Sequence, residues 1–190
     1  MKTVPFRLIF LIFFTLLASV AIAQPQETPP RTATPFMSPA DAGWGAPIGS
    51  AKLTLFGFDI YMARLWASAA FSRQDYARQP FALELTYLRD FKGLAIAERS
   101  IKEMRRVETI TEAQGREWLG VLTRTLPDVR KGERLTGIYN PGVGLRFLFN
   151  DRPLADVKDP AFARVFMGIW LSPQTSEPAM REALLAEVAP

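Results

Sequence analysis

The sequence predicts an α+β domain in which helices cover one face of a large antiparallel β-sheet. Short segments of alternating polar and apolar residues occur in two groups, and segments with helical spacing of apolar residues follow each group. Tight turns join neighbouring strands within each group, which is typical of antiparallel hairpins. Strands and helices do not alternate one by one along the chain, so a parallel sheet is not expected.

The first group contains three predicted strands. Residues 51–56 and 58–67 alternate in polarity on either side of Gly57, and glycine permits the tight turn of a hairpin. A polar loop follows, and the third strand is predicted over 81–88. The three strands are expected to lie next to each other in one sheet.

Two helices are predicted after this group. Apolar residues recur at helical spacing from Leu94 to Met104, which indicates the first helix. Thr109 or Thr111 is the expected N-cap of the second helix, because threonine side chains accept hydrogen bonds from the free N–H groups of a first turn. This helix is expected to end near Thr125.

The second group of strands covers 134–140 and 143–150. The Pro141–Gly142 pair between them is a strong signal for a hairpin turn. Asn150–Asp151 predicts a further turn, after which no strand is assigned.

The C-terminal part predicts two more helices. Asp159 is a typical N-cap and Pro160 is typical of a first helical turn, so the third helix is expected to include 162–171. Aromatic residues recur every four positions in it, which favours a stripe packed in the core. Thr175 or Ser176 is the expected cap of a final amphipathic helix.

Residues 1–23 have the layout of a cleavable signal peptide. Two basic residues precede an uncharged run over 8–19, which is too short to cross a bilayer core of roughly 30 Å comfortably. Ala21 and Ala23 then occupy the two positions that a signal peptidase reads. We therefore expect export to the periplasm, with Gln24 as the first mature residue and no membrane-spanning segment after it. An uncleaved N-terminal anchor is the alternative.

The remaining chain is predicted to contain a linker and one domain. Residues 24–47 include six prolines and few aliphatic residues, which indicates a proline-rich linker or tail. The domain is expected over 48–188. The chain contains no cysteine, so an exported form cannot use disulfides and needs an ordinary hydrophobic core.

Composition excludes several classes of function. The chain has no His and no Cys, which excludes Ser-His-Asp triads, His-ligated metals and thiolate chemistry. No glycine-rich phosphate loop follows a strand, and no basic run is interleaved with aromatic residues, so neither nucleotides nor nucleic acids are expected partners. We expect no cofactor and no metal. Any chemistry must rest on Arg, Lys, Tyr, Ser, Thr, Asn and carboxylates.

Several segments resemble bacterial chalcone isomerase-like proteins of the exported branch. They are RSIKEM at 99–104, the hairpin over 134–150, the helix over 162–171 and TSEP at 175–178. The resemblance extends from about Gly49 to Ala186. It implies one large antiparallel sheet curved around a layer of helices, an open-faced β-sandwich with a cleft between the layers.

The resemblance implies two kinds of function. Plant enzymes of this fold close a flavanone ring by adding a phenolate to an enone, and related non-catalytic proteins hold a fatty-acid carboxylate with an Arg on the first strand and a Tyr on the second. Tyr61 matches the position of that tyrosine, and Lys52 is the basic residue nearest the arginine position. The catalytic tyrosine of the enzymes has no counterpart over 91–107, where Ser100 falls near the catalytic asparagine. No residue is therefore assigned to catalysis.

Arg64 is a third candidate for ligand binding. It shares a strand face with apolar side chains, including Trp66, so it needs a carboxylate partner if it is buried. Glu84 and Glu103 are the candidate partners, and Glu103 on the first helix is favoured.

The favoured function is an exported protein that binds a fatty acid or another apolar carboxylate in a cleft without catalysis. A cofactor-independent isomerase or intramolecular lyase is one alternative. A structural or partner-binding protein without a ligand cleft is another.

Overall fold

A computed structural model of the 190-residue chain describes residues 43–188. The described residues form one six-stranded antiparallel sheet and four α-helices, which confirms the predicted α+β class. The predicted signal peptide and most of the proline-rich segment lie outside the described residues.

The sheet is a meander in which each strand pairs with the next along the chain. The strands are β1 Gly49–Leu55, β2 Phe58–Ala67, β3 Phe81–Tyr87, β4 Arg134–Asn140, β5 Gly144–Phe149 and β6 Arg152–Val157. Five of them were predicted, and every pairing is antiparallel.

The sixth strand was missed because its sequence lacks the pattern of a half-buried strand. Its first three residues are all exposed, so polarity does not alternate there. Pro153 cannot donate a backbone hydrogen bond and is tolerated in an edge strand, next to an irregularity in the pairing of β5 with β6. The predicted turn at Asn150–Asp151 is present, with positive φ at both residues, and it leads directly into β6.

All four predicted α-helices are present, although the last one begins later than predicted. They are α1 Gly93–Val107, α2 Glu112–Thr125, α3 Pro160–Leu171 and α4 Pro178–Leu184, and a short 3₁₀ helix covers Tyr76–Arg78. No helix within residues 43–188 is long and apolar enough to cross a membrane.

The helix caps were predicted correctly at two of three positions. Thr111 caps α2 in a reciprocal capping box with Gln114, and Asp159 accepts hydrogen bonds from two backbone N–H groups at the start of α3. The prediction for α4 was wrong, because Glu177 occupies its N-cap position. Thr175 lies in the segment between α3 and α4. Its hydroxyl accepts a hydrogen bond from the Glu177 N–H and donates one to the Ile169 carbonyl.

Helix α3 forms the centre of the helical layer. It contacts β4, β5 and α1, while α4 lies against β1. The aromatic stripe of α3 is buried as expected: the Phe162 and Phe166 rings stack with centroids 5.5 Å apart, and Trp170 packs edge-on against Phe166 at 5.5 Å. This stripe holds the helical layer on the sheet and leaves space beside α1.

Candidate functional site

A cavity of about 310 Å³ lies between the sheet and the helices. This volume is at the lower end of the range typical of small-molecule sites. Most of its lining is apolar. The main apolar contributions are Leu53, Leu83, Leu85, Leu135 and Phe147 from the strands and Ile96, Phe166, Met167 and Ile169 from the helices.

The cavity opens to solvent along α1. Among its lining residues, Ala95, Arg99 and Ser176 are exposed, and Leu55 and Ile60 are half-buried. The mouth is therefore bounded by α1, by the segment before α4 and by the end of the β1–β2 hairpin.

Tyr61, a half-buried side chain, supplies a hydroxyl to the cavity. The Trp170 Nε1–H donates a hydrogen bond of 3.0 Å to the Tyr61 oxygen, and the Tyr61 hydroxyl itself faces Met180 Sδ at 4.0 Å. Burial raises the pKa of Tyr61 from 10.0 to about 12, so this side chain stays neutral over the physiological range. A thioether is a weak acceptor, and the hydroxyl proton is available to a stronger one.

Charged side chains surround this hydroxyl. The carboxylates of Glu177 and Glu103 raise the pKa of Tyr61, and the guanidinium of Arg99 lowers it. Tyr87 also lines the cavity, with its ring edge-on to Tyr61 at 6.1 Å, and burial raises the Tyr87 pKa as well. The polar groups are thus concentrated around Tyr61 in an otherwise apolar space.

Arg99, Glu103 and Arg106 form an ion-pair cluster on α1. Arg99 Nη2 lies 2.9 Å from Glu103 Oε1, and Arg106 Nε lies 3.4 Å from Glu103 Oε2. The Glu103 side chain is only 7% exposed, whereas that of Arg99 is 53% exposed. Neither carboxylate oxygen has a well-aligned hydrogen bond within the described residues, so the contacts hold Glu103 by charge more than by geometry.

The three residues predicted to bind ligand are not brought together. Tyr61 lines the cavity, whereas Lys52 and Arg64 do not. In the pairing of β1 with β2, Leu53 lies opposite Tyr61 and Lys52 lies opposite Met62, which places Lys52 on the other face of the sheet. Lys52 Nζ contacts Asp59 there at 2.9 Å, and both side chains are exposed.

Arg64 also lies on the face opposite the cavity. Its Nη1 is 3.4 Å from Glu84 Oε1, and Arg134 Nε is 3.3 Å from the second oxygen of the same carboxylate. Burial raises the pKa of Glu84 in spite of these two cations. The choice of Glu103 as the partner of Arg64 was therefore wrong, because Glu103 is on the helical side of the sheet and pairs within α1.

Arg99 is the cavity cation that the sequence reasoning missed. It begins the RSIKEM segment, and its four-residue spacing from Glu103 is typical of an ion pair along a helix. Helical periodicity places Ile96, Arg99, Ser100 and Glu103 on one face of α1, and all four line the cavity. Ser100 is less available than the others, because its hydroxyl donates to the Ile96 carbonyl at 2.8 Å.

Residues 43–188 contain no group of three or more acidic, His or Cys side chains placed to hold a metal ion.

Comparisons with known proteins agree with this architecture. The sequence profile of a family described as chalcone isomerase-like matches residues 49–186. An uncharacterised protein of Haemophilus influenzae is 28% identical over 152 residues, which cover 80% of this chain and 73% of that protein. The crystal structure of an Arabidopsis thaliana fatty-acid binding protein superposes with a TM-score of 0.58 and 12% identity, covering 73% of this chain and 85% of the plant chain. The last likeness concerns the fold, whereas the profile matches most of the sequence. The chain therefore belongs to the chalcone isomerase-like family.

Proposed function

We propose that this domain binds a fatty acid or another apolar carboxylate in the cavity without converting it. The observation that carries the proposal is the combination of the Tyr61 hydroxyl and the Arg99 guanidinium in a mostly apolar cavity. An apolar pocket with a few convergent polar groups is the usual form of a small-molecule site. The plant protein of similar fold is described as a fatty-acid binding protein, which supports the same class of ligand.

The ion-pair cluster on α1 has one cation more than it has carboxylates. Arg99 and Arg106 share the single carboxylate of Glu103, so this cluster carries one net positive charge, and Glu177 adds one further carboxylate to the cavity lining. When a ligand carboxylate pairs with Arg99, Arg106 still neutralises Glu103. The guanidinium of Arg99 can bind a carboxylate through two parallel N–H groups, which a lysine cannot do.

Tyr61 supplies the matching hydrogen-bond donor. Its oxygen accepts from Trp170 and its proton faces only the weak acceptor Met180 Sδ, so the proton is available to a ligand oxygen. Its raised pKa keeps that proton in place at neutral pH. The same property opposes catalysis by a phenolate, and we therefore propose binding without turnover.

The test is equilibrium binding of oleate, measured by calorimetry, to three variants and the unmodified protein. We expect Arg99→Gln to weaken binding by about tenfold or more. Tyr61→Phe should weaken it by about 1–2 kcal/mol, near the lower end of the range for a hydrogen bond to a charged group. Lys52→Gln is the matched control, because it removes a cation from the other face of the sheet and should leave the affinity unchanged.

Two outcomes would contradict the proposal. One is folded protein that does not bind oleate, or binds it equally well in all variants. The other is chalcone cyclisation well above the uncatalysed rate in the unmodified protein, which would make this an enzyme. Melting curves of each variant show whether a loss of binding reflects a loss of fold.

A further inference from the structure

The tip of the β1–β2 hairpin carries an aromatic side chain where the backbone disfavours one. Phe56 and Gly57 are the two residues between the paired ends Leu55 and Phe58, and both have positive φ, 51° and 79°. This is the conformation of a type I′ turn, in which Asn and Gly are the favoured residues. A bulky residue with positive φ is an outlier that local sterics oppose.

The Phe56 ring gains nothing from the rest of the described chain. The residue is 99% exposed, and Phe58 two positions later is 56% exposed. The protein therefore accepts both backbone strain and the exposure of an apolar ring at the same point. Strain that no contact within the fold explains is a reason to look for a function at that residue.

A cation that has no ion-pair partner among residues 43–188 lies beside the tip. The guanidinium carbon of Arg89 lies 4.4 Å from the centroid of the Phe58 ring, in cation–π contact. Within residues 43–188, no carboxylate lies within ion-pair distance of Arg89. An aromatic pair beside an arginine matches the composition of protein surfaces that sit at the headgroup level of a bilayer.

The position of the tip links it to the cavity. Leu55 and Ile60, which flank the turn, are half-buried residues of the cavity lining. The surface area of two rings at a hairpin tip is far smaller than the roughly 800 Å² that each partner buries in a stable protein interface. A lipid surface requires no such area, because a few side chains can insert between headgroups.

We propose that the β1–β2 hairpin tip inserts Phe56 into a lipid bilayer and brings the cavity mouth to the membrane surface. The significance of this contact rests on the proposed function, since a binder of apolar carboxylates would exchange its ligand there. The insertion itself can be measured without any fatty acid.

The experiment compares partitioning onto vesicles of mixed phosphatidylcholine and phosphatidylglycerol. The protein is taken as an expressing bacterium processes it, and mass spectrometry verifies that all variants share one N-terminus. Phe56→Asn removes the ring and suits the turn better, so the variant should fold with an equal or higher melting temperature. Its partition coefficient should fall by about tenfold, as expected for one aromatic side chain that no longer leaves water.

Val143→Asn is the matched control. Val143 is 54% exposed beside the β4–β5 turn, so this variant removes an exposed apolar side chain at another site. Its partition coefficient should stay within about twofold of that of the unmodified protein. Equal partitioning of Phe56→Asn and unmodified protein, or an equal loss in both variants, would overturn the proposal.

A second measurement separates this inference from the proposed function. Phe56→Asn should bind oleate in solution as tightly as the unmodified protein but take it up more slowly from vesicles. Absence of oleate binding in every variant would contradict the proposed function alone, because vesicle partitioning would still test the contact with the bilayer. An unchanged uptake rate in a variant with reduced partitioning would overturn the link between the tip and ligand exchange.

Discussion

The direction of single side chains decides what this cavity can bind. Lys52 and Leu53 are neighbours in β1, yet only Leu53 lines the cavity, because successive side chains of a strand point to opposite faces. The cation that lines the cavity is instead Arg99 on α1, one turn before its ion-pair partner Glu103. The polar part of the site therefore consists of a tyrosine on a strand and an arginine on a helix. The Glu103 carboxylate pairs with that arginine.

Glu103→Gln should strengthen the binding of a carboxylate. The substitution keeps the shape of the side chain and removes the anion that competes for Arg99. Because Arg99 is half exposed, the ion pair is worth little, and we expect the affinity for oleate to rise by only about threefold. Calorimetry measures this change, and dodecanol, which carries no charge, is the control ligand. Weaker oleate binding in a folded variant would show that Glu103 orients Arg99 more than it competes for it.

The alkaline stability of the domain should depend on Tyr61. Its pKa is about 12 in the folded protein and near 10.0 when the side chain is exposed, so unfolding releases a proton between these values. The stabilisation of the folded state by protonated Tyr61 is fully present below pH 10 and is lost as pH rises towards 12. In this window the free energy of unfolding of unmodified protein should fall with pH more steeply than that of Tyr61→Phe, by at most about 1.4 kcal/mol per pH unit.

Denaturant titrations at pH 9, 10 and 11 measure the difference in slope. Lysine residues and the other three tyrosines also titrate here, and the comparison removes most of their effect because both proteins contain the same set. Identical slopes would mean that Tyr61 is much less buried than the structure indicates.

At the scale of elements, the sequence predicts those whose burial is periodic. Strands β2 and β4 have the predicted bounds, and α3 begins at the predicted Asp159–Pro160 boundary. Strand β6 and the start of α4 were not predicted, because tertiary contacts outweigh the local sequence preference at both places. Pro153 argues against a strand although an edge tolerates it, and the Thr175 hydroxyl is engaged with α3 before it can cap α4.

The site was harder to predict than the fold, and for a physical reason. Tyr61 could be selected from the face of one strand. Selecting Arg99 required knowing which face of α1 meets the sheet. Its four-residue spacing from Glu103 is visible in the sequence, but this spacing also stabilises helices on solvent-exposed faces and does not identify a cavity.

Two glycines offer a matched test of how the helices are packed. A Cβ added to Gly93, the first residue of α1, would lie 2.2 Å from the Leu126 carbonyl oxygen, which is backbone and cannot yield easily. Gly93→Ala should therefore lower the free energy of unfolding by about 1–3 kcal/mol, as other overpacking substitutions do. In Gly120→Ala the atom nearest to the added Cβ is the flexible end of Arg124, at 3.2 Å. The higher helix propensity of alanine should therefore raise the free energy of unfolding by about 0.5–1 kcal/mol. Denaturant titration measures both, and equal effects of the two substitutions would contradict the close contact at Gly93.

At the scale of the whole molecule, the compartment determines which ligands the cavity meets. The uncharged run over 8–19 and the small residues at 21 and 23 predict export, and the family match begins at residue 49, after the proline-rich segment. A periplasmic location would place the domain beside two bilayers that supply apolar carboxylates. Because the chain has no cysteine, an exported form must be stabilised by its hydrophobic core without disulfides. Side chains of the sheet and α3 such as Phe81, Leu65 and Leu171 are almost fully buried and form such a core.

We predict that the chain isolated from the envelope of a bacterium begins at Gln24. A signal peptidase recognises small residues one and three positions before the cut, and Ala23 and Ala21 occupy these positions. N-terminal sequencing and intact mass of protein released by osmotic shock measure the result. Ala23→Arg is the informative variant, because a large charged residue at the last position should block cleavage and leave the chain in the membrane fraction. Recovery of Met1 or Lys2 from unmodified protein in that fraction would contradict export with cleavage and establish the alternative, a protein held at the membrane by its own N-terminal segment.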